Sequence, residues 1–336
     1  MSKTFIIAEA GANHDRNFEQ ACKLIDVAVE AKANAVKFQT YSANTLYCKN
    51  TPNFAGYENV FDLIKNIELP REWQIDLKKY CDDKNVEFMS TPFDKKAVDE
   101  LYNLGVKRFK IAGFECTDPR MVKYVASTKL PLVISLGIGT KLETATHIRN
   151  WILEVNKEPD ITFLHCNNAY PTPYEDINLG QMKKMIKHFH ATDLKFGLSD
   201  HTQGILVPPL AVVMGAKVIE KHYTIDKTLP GPDHPFAIEP EELKEMIKNI
   251  RLAEKALGEK TEKYTESEQN FSMARRSVVT NCDIRPGDLI TEENITTKRP
   301  LLDDSIPAIE YYNLIGKRFS KNLSEDTLLK WGDISE

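Results

Sequence analysis

Short runs of β-branched and aromatic residues recur along the first two thirds of the chain, and longer stretches with a helical period separate them. The stretch FEQACKLIDVAVEAKA at 18–33 is one such helix, because its apolar residues recur every three or four positions. The short runs predict eight strands, namely FIIAE (5–9), AVKFQ (35–39), VEFMS (86–90), RFKIA (108–112), LVIS (132–135), ITFLHC (161–166), LKFGL (194–198) and KVIEK (217–221).

The alternation of strand and helix favours a parallel sheet, and eight such units favour a (β/α)8 TIM barrel. A doubly wound sheet is the main alternative. That fold would favour a phosphate-binding GxGxxG turn after its first strand, and GANHDRN at 11–17 does not supply one. We therefore predict a catalytic barrel over residues 1–258.

The pattern changes after residue 258. The stretch GEKTEKYTESEQN is charged and lacks an apolar period, so residues 259–275 are predicted to be a linker or an exposed helix. From residue 276 the segments are short and separated by turns, which predicts a small, mostly β domain over 276–336. A domain this small is marginally stable alone, so we expect it to dock on a barrel or on a partner subunit.

Composition and charge exclude several classes of protein. Of the 336 residues, 42% are hydrophobic, enough for a large core, and the net charge of −5 gives no overall attraction to nucleic acid or anionic membranes. The six cysteines have no paired spacing, which favours reduced thiols and a cytoplasmic location. The sequence has no apolar run long enough for a signal peptide or a membrane-spanning helix.

Polar side chains follow every predicted strand, at the end of the barrel where (β/α)8 enzymes hold their active sites. Lys37 and Lys110 lie inside apolar runs, where an unpaired ammonium is costly to bury. Each lysine either pairs with a carboxylate such as Glu9 or binds an anionic substrate, and both interpretations stay open. The other polar residues at these ends include Gln39, Thr91, Glu115, Ser135, Asn168, Tyr170 and Ser199.

Two neighbouring strands each end in a histidine, His201 of GLSDHT and His222 of IEKHYTIDK. Isolated histidines are more often structural than metal-binding, but equivalent placement on adjacent strands brings the two interpretations nearly level. Two imidazoles leave coordination positions open, which suits a catalytic metal. A site of nitrogen and oxygen ligands completed by water and substrate suits Mn²⁺ or another divalent ion.

Eight motifs and one C-terminal motif resemble, in order, the sialic acid synthase family, which makes nine-carbon acidic sugars from phosphoenolpyruvate. The motifs are IAEAGANH, VKFQTY, STPFD, KIAGFEC, LHCNNAYPTPYEDINL, GLSDHT, IEKHYTIDK and PGPDH, with TTKRP resembling the family's antifreeze-like (SAF) domain. The resemblance implies a metal-dependent condensation of phosphoenolpyruvate with an N-acylated amino sugar of the N-acetylmannosamine type, with C–O cleavage and phosphate release.

The resemblance also assigns roles to matching residues. His201 and His222 would hold the metal, Mn²⁺ or alternatively Mg²⁺ or Co²⁺, and Glu9 and Glu115 would lie at the reacting centre. The residues implied for phosphoenolpyruvate are Lys37, Thr91, Lys110, Ser135, Asn168 and Ser199. Those implied for the acceptor sugar are Gln39, Tyr170, Asp233, Phe271 and Arg299, the last two from the small domain of a partner in a domain-swapped homodimer.

The acceptor sugar is the open point. Gly113 and Phe114 replace the Ser-Gly of typical N-acetylneuraminate synthases, as in the pseudaminate branch, whereas PGPDH and TTKRP resemble the neuraminate and legionaminate branches. Phe114 near the sugar would favour the methyl of a 2,4-diacetamido-6-deoxy sugar. Two further alternatives are a synthase acting on a sugar phosphate, for which PGPDH offers no extra basic residues, and a carbohydrate- or ice-binding protein without turnover.

Overall fold

The computed structural model describes residues 3–53, 56, 58–258 and 265–335. The chain divides into two compact units, Met1–Gly258 and Glu259–Glu336. Among the helices of these described ranges, none combines the length and the hydropathy needed to cross a lipid bilayer.

Eight parallel strands form the centre of the first unit. They are β1 (Phe5–Glu9), β2 (Ala35–Thr40), β3 (Glu87–Pro92), β4 (Phe109–Ile111), β5 (Leu132–Leu136), β6 (Ile161–Cys166), β7 (Lys195–Asp200) and β8 (Val218–His222). Neighbours follow the order β3-β2-β1-β8-β7-β6-β5-β4, and β3 and β4 also lie side by side. The predicted TIM barrel is therefore confirmed, and each predicted strand overlaps an observed one.

Helices connect the strands and cover the outside of the barrel. They are α1 (Phe18–Glu30), α2 (Ala43–Leu46), α3 (Val60–Ile67), α4 (Trp73–Asp83), α5 (Lys95–Leu104), α6 (Pro119–Ser127), α7 (Leu142–Val155), α8 (Leu179–His188), α9 (Val207–Val213) and α10 (Pro240–Leu257). The helix predicted at 18–33 ends at Glu30, just before Lys32 adopts a left-handed φ of 64°.

A buried apolar layer fills the interior of the barrel and fixes where the polar residues lie. Its members are Ile7, Ala35, Met89, Val133, Leu164 and Val218, one from each of six strands. Successive side chains of a strand point to opposite faces, so the residues two positions later lie on the same side, one layer nearer the carboxyl ends. Those residues are Glu9, Lys37, Thr91, Ser135, Cys166 and Glu220, and all are buried.

Gly197 lies in β7, two positions before Ser199. A Cβ at this position would lie 2.2 Å from the backbone oxygen of Val218 and 2.6 Å from Leu164 Cδ2. Only glycine allows β8 to approach β7 this closely, because the contact is with backbone that cannot rotate away. The sequence GLSDHT thus begins with a residue that sets the spacing of the two histidine-bearing strands.

The second unit is small and mostly β, as predicted. Its regular elements are α11 (Glu266–Gln269), the 3₁₀ turns Ser272–Ala274, Ala308–Glu310 and Trp331–Asp333, α12 (Tyr311–Leu314), and strands β9 (Ser277–Thr280), β10 (Ile295–Lys298), β11 (Arg318–Phe319) and β12 (Ile334–Ser335). β9 pairs with β10 and β11 with β12, both antiparallel. Of the predicted linker at 259–275, residues 259–264 lie outside the described residues, and α11 and one 3₁₀ turn occupy much of the rest.

Candidate active site

Two buried lysines and two buried carboxylates face one another at the carboxyl ends of the barrel strands. Lys37 Nζ lies 2.7 Å from Glu9 Oε2 and 3.7 Å from Glu220 Oε2. Lys110 Nζ lies 3.6 Å from Glu220 Oε1. Glu220 thus lies between the two ammonium groups, and the lysines predicted from the apolar runs share one carboxylate partner.

Glu220 is a site residue that the sequence reasoning missed. It directly precedes Lys221 and His222 in IEKH, inside the strand, whereas the candidates named above are the residues that end it. Its place two positions after Val218 was the available signal, because the same spacing separates Ile7 from Glu9. Ser199 Oγ donates a hydrogen bond of 3.0 Å to Glu220 Oε1, which joins β7 to this group.

Burial and mutual contact shift the acidities of this group in different directions. Burial raises the pKa of Glu9 to about 7, even though Lys37 opposes the shift. Burial also tends to raise the pKa of Glu220, but Lys110 and Lys37 offset this, so that it lies below its usual value. Burial lowers the pKa of Lys110, whereas the carboxylates of Glu220 and Glu9 overcome burial at Lys37 and raise its pKa. Of these two carboxylates, Glu9 is therefore the one able to exchange a proton near neutral pH.

The two predicted metal ligands lie together at the ends of β7 and β8. The imidazole centroids of His201 and His222 are 5.5 Å apart. His201 Nδ1 lies 2.6 Å from the carbonyl oxygen of Asn167. A carbonyl only accepts hydrogen bonds, so Nδ1 carries the proton and Nε2 keeps its lone pair for a ligand.

The chemistry of these histidines fits a divalent cation. Burial lowers the pKa of His201 to about 4 and that of His222 well below its usual value, so both rings are neutral at pH 7, the form that binds metals. His222 Nδ1 is buried without a hydrogen-bond partner, 3.7 Å from Asp233 Oδ2. Within the described ranges no cluster of three or more His, Cys, Asp or Glu is arranged to hold a metal, so water and substrate oxygens would complete this site.

Hydroxyl and amide groups surround the lysines. Lys37 Nζ donates to Thr91 Oγ1 at 3.1 Å. Ser135 Oγ, one of the described buried polar atoms without a hydrogen-bond partner, is free to bind a ligand. Asn168 Oδ1 accepts a hydrogen bond of 3.1 Å from the backbone N–H of Ile138. The barrel therefore brings the six residues predicted for phosphoenolpyruvate to its carboxyl end, while their ligand stays a prediction.

The amide of Asn168 also gives a structural reason for the Gly113 departure. A Cβ at Gly113 would lie 2.8 Å from Asn168 Oδ1, and a Cβ at Gly137 would lie 1.7 Å from the same atom. The Asn168 amide occupies the space between these two glycines, so a serine at position 113 would require it to move.

Glu115 follows β4 in a tight turn and has its own environment. Burial raises its pKa to about 7, and its Oε2 is buried without a hydrogen-bond partner. Lys110 acts in the opposite direction and lowers this pKa. Glu115 is thus a second carboxyl group that titrates near neutral pH.

A cavity of about 490 Å³ opens beside the histidines. Three residues predicted for the acceptor, Gln39, Tyr170 and Asp233, line it together with His222. The ring of Tyr170 packs against that of His201 with centroids 4.3 Å apart. Phe114 also lines the cavity and is 56% exposed, so an aromatic face is available to a ligand.

The remaining predicted acceptor residues belong to the second unit. Phe271 lies between α11 and the first 3₁₀ turn with 71% of its surface exposed, and Arg299 follows β10 and is also exposed. Their predicted place over the barrel of a partner subunit stays a prediction.

Comparisons with known proteins extend over nearly the whole chain. The model of the NeuB family matches residues 24–262, and that of the SAF domain matches residues 275–335. N,N'-diacetyllegionaminic acid synthase of Legionella pneumophila is 40% identical, over 98% of this chain and 94% of the relative. Pseudaminic acid synthase of Campylobacter jejuni is 33% identical, over 98% of this chain and 96% of the relative.

A solved structure supports the same likeness. The N-acetylneuraminic acid (sialic acid) synthetase from Leptospira borgpetersenii, crystallised in complex with citrate, superposes with a TM-score of 0.73 at 32% identity. The match covers 80% of this chain and 90% of that chain.

Proposed function

Because this chain belongs to the NeuB family, we propose that it is a nonulosonic acid synthase that condenses phosphoenolpyruvate with an N-acylated amino sugar and releases phosphate. The observation that carries the proposal is the buried layer of Lys37, Lys110 and the free Ser135 hydroxyl, which adjoins a pair of neutral histidines. A small anion with both a carboxylate and a phosphate matches two ammonium groups and several hydroxyls.

His201 and His222 would hold a divalent metal, with Mn²⁺ as the first candidate. The fit rests on the free Nε2 of His201 and on the unpartnered Nδ1 of His222. Such an ion supplies Lewis acidity, which makes an aldehyde carbon electrophilic. The Asn167 carbonyl keeps the His201 ring in the orientation and tautomer that a ligand requires.

The chemistry of the condensation assigns separate tasks to the protein groups. C3 of phosphoenolpyruvate forms the new bond to the aldehyde carbon, and water adds to the resulting cationic C2. Glu9, whose pKa is about 7, accepts the proton of that water. The C2–O bond then breaks, and the electron pair leaves with phosphate while the C2 hydroxyl loses its proton to become the ketone. The former aldehyde oxygen takes up a proton and becomes a hydroxyl. Lys37 and Lys110 would balance the phosphate charge and orient it.

We propose a 2,4-diacetamido-6-deoxy sugar as the acceptor. The identity of 40% to the legionaminic acid synthase and 33% to the pseudaminic acid synthase, against 30% to the N-acetylneuraminate-9-phosphate synthase of Homo sapiens, supports this choice. The exposed ring of Phe114 in the cavity supports it as well, because an aromatic surface favours a methyl group over a hydroxyl at C6. N-acetylmannosamine is the alternative acceptor.

A homodimer in the cytoplasm completes the proposal. Phe271 and Arg299 are exposed in the C-terminal unit, where they would be able to reach the acceptor site of a partner, as the family resemblance implies. A mixture of Arg299→Ala and His201→Ala chains would regain activity if sites are shared, because one site of each mixed dimer would then carry neither change. All six cysteines are free thiols, which agrees with a reducing compartment.

Phosphate release from phosphoenolpyruvate tests the function directly. Purified protein with Mn²⁺ should release phosphate with the diacetamido sugar and more slowly with N-acetylmannosamine. In ¹⁸O-labelled water the keto acid should carry the label and the phosphate should not. Labelled phosphate would indicate P–O cleavage, and no release with any acceptor would rule the function out.

A further inference from the structure

Helix α3 turns its apolar stripe toward the cavity. Val60, Leu63, Ile64 and Ile67 occur at i, i+3, i+4 and i+7, the spacing of one helical face, and all four line the cavity. None of them belongs to the hydrophobic core clusters found among the described residues. An amphipathic helix normally buries this face against a core. Here only Val60 is buried, whereas Leu63, Ile64 and Ile67 are half-buried, so this part of the face of α3 is available to a ligand.

Hydrogen bonds hold the apolar face of α3 in place; we call this face, formed by Val60, Leu63, Ile64 and Ile67, the α3 wall. Tyr41 Oη donates to the carbonyl oxygen of Ile67 at 3.1 Å, and Arg16 donates to that of Lys65 at 3.2 Å. At the other end, the Asn59 side chain caps the helix by accepting from the Asp62 N–H at 3.1 Å. The C-terminal end of the wall is therefore anchored to residues outside α3, and the Asn59 cap stabilises its first turn, so that the binding surface is largely preformed.

The cavity thus has two chemically different sides. Gln39, Asn168 and Asp233 offer hydrogen-bonding groups near His222, whereas the α3 wall offers only hydrocarbon. Sugar hydroxyls placed against the wall would lose their hydrogen bonds to water without replacement, which is unfavourable. The wall instead suits the methyl end of an acyl group.

We propose that the α3 wall determines specificity by binding the acyl group at C4 of the acceptor. This inference rests on the proposed function. The polar side would hold the hydroxyls and the reacting end of the sugar, and the wall would enclose the C4 substituent. A sugar with a free C4 hydroxyl would leave the wall in contact with water and bind less well.

The test compares two 6-deoxy sugars that differ only at C4, one with an acetamido group and one with a hydroxyl. Ile64→Asn places an amide in the wall, and Lys65→Asn makes the same residue on the exposed face of the helix as the matched control. We expect the ratio of kcat/KM for the acetamido sugar to that for the hydroxyl sugar to fall about 10-fold or more in Ile64→Asn. Lys65→Asn should keep the wild-type ratio.

A second variant guards against misfolding of the first. Leu63→Ala enlarges the wall without adding a polar group, and it should raise kcat/KM for a C4 butanoylamino sugar relative to the acetamido sugar. Equal losses with both sugars in Ile64→Asn, together with an unchanged acyl-length preference in Leu63→Ala, would overturn the inference. Absence of phosphate release by the wild-type protein with every acceptor would instead overturn the proposed function, and the inference with it.

Discussion

The two faces of strands β7 and β8 both bury charged side chains, but they differ in how those charges are paired. Toward the barrel interior, Glu220 lies near two lysines at 3.6 and 3.7 Å, beyond hydrogen-bond distance. Toward the helices, Lys221 donates to Asp200 Oδ2 at 2.6 Å and to the carbonyl oxygen of Thr202 at 2.7 Å. The residues alternate along the same two strands, so one step in sequence separates the two arrangements.

The outer pair is nearly saturated with hydrogen bonds. Asp200 Oδ1 also accepts from the Thr202 backbone N–H at 3.1 Å and from its hydroxyl at 2.9 Å. On the inner face, Ser135 Oγ and His222 Nδ1 have no partner among the described residues. A buried pair with all its hydrogen bonds made can only stabilise the fold, whereas a buried polar atom that lacks a hydrogen-bond partner is available to a ligand.

The largest effect expected on the inner face is loss of turnover. His201→Ala or His222→Ala should reduce phosphate release to background, because one imidazole cannot keep the geometry of a two-histidine site. Chelation should do the same reversibly. Thermal melts should show a folded protein, and His190→Ala, an exposed histidine on the surface, should retain activity. Full activity of the chelated, metal-free enzyme would contradict the metal assignment.

The next effect is a difference in the free energy of unfolding between variants of the two faces. Lys221→Met leaves the buried Asp200 without its cation and should lower the free energy of unfolding by about 3–5 kcal/mol. Lys110→Met should cost less than half as much, since Lys110 Nζ lies 3.6 Å from Glu220, which keeps Lys37 and Ser199 beside it, yet it should abolish phosphate release. Urea unfolding of both variants measures this difference. Equal destabilisation would mean that the inner lysine is structural.

A smaller effect depends on pH. Burial raises the folded-state pKa of Glu115 to about 7 from 4.5, so the folded protein binds more protons than the unfolded chain between these values. Stability should therefore fall as pH rises from 4.5 to 7. Glu115→Gln should match the wild type near pH 5 and exceed it at pH 8 by about 1–3 kcal/mol. Parallel denaturation curves at both pH values provide the measurement, and a constant difference would contradict the shifted pKa.

The smallest effect concerns single hydroxyls on the two faces. Thr202→Val removes one hydrogen bond to Asp200 and should lower the free energy of unfolding by about 1 kcal/mol, with the KM for phosphoenolpyruvate unchanged. Ser199→Ala removes the hydrogen bond to Glu220 and should raise that KM, with a smaller change in stability. Reversal of these two results would remove the distinction between the faces.

The sequence predicts the barrel well because its signal is local. Each strand is a short β-branched or aromatic run, and FIIAE and ITFLHC match their observed bounds at both ends. The ends of β7 and β8 extend further, to Asp200 and His222, since polar residues there continue the ladder of parallel hydrogen bonds. Helix α1 ends early for a backbone reason, the left-handed φ of Lys32, that an apolar period does not reveal.

The candidate site can be predicted only in part from the sequence. Lysines within apolar runs and histidines at strand ends stand out by residue type, so both pairs were identified. Glu220 required the register with Ile7 and Glu9, and the apolar lining of the cavity by α3 required the tertiary position of a connecting segment. Contacts of that kind depend on how distant elements pack, which periodicity does not encode.

The α3 wall belongs to the connection between β2 and α4, residues 41–72, whereas the lysines, Glu9 and the histidines are in or directly beside strands. On the proposed function, substitutions in this connection would change the surface that faces the sugar without replacing any of the groups in the strands. Evolution can therefore diversify the acceptor within one ancestral scaffold. Exchange of residues 41–72 between two such synthases is the corresponding route for engineering new acidic sugars.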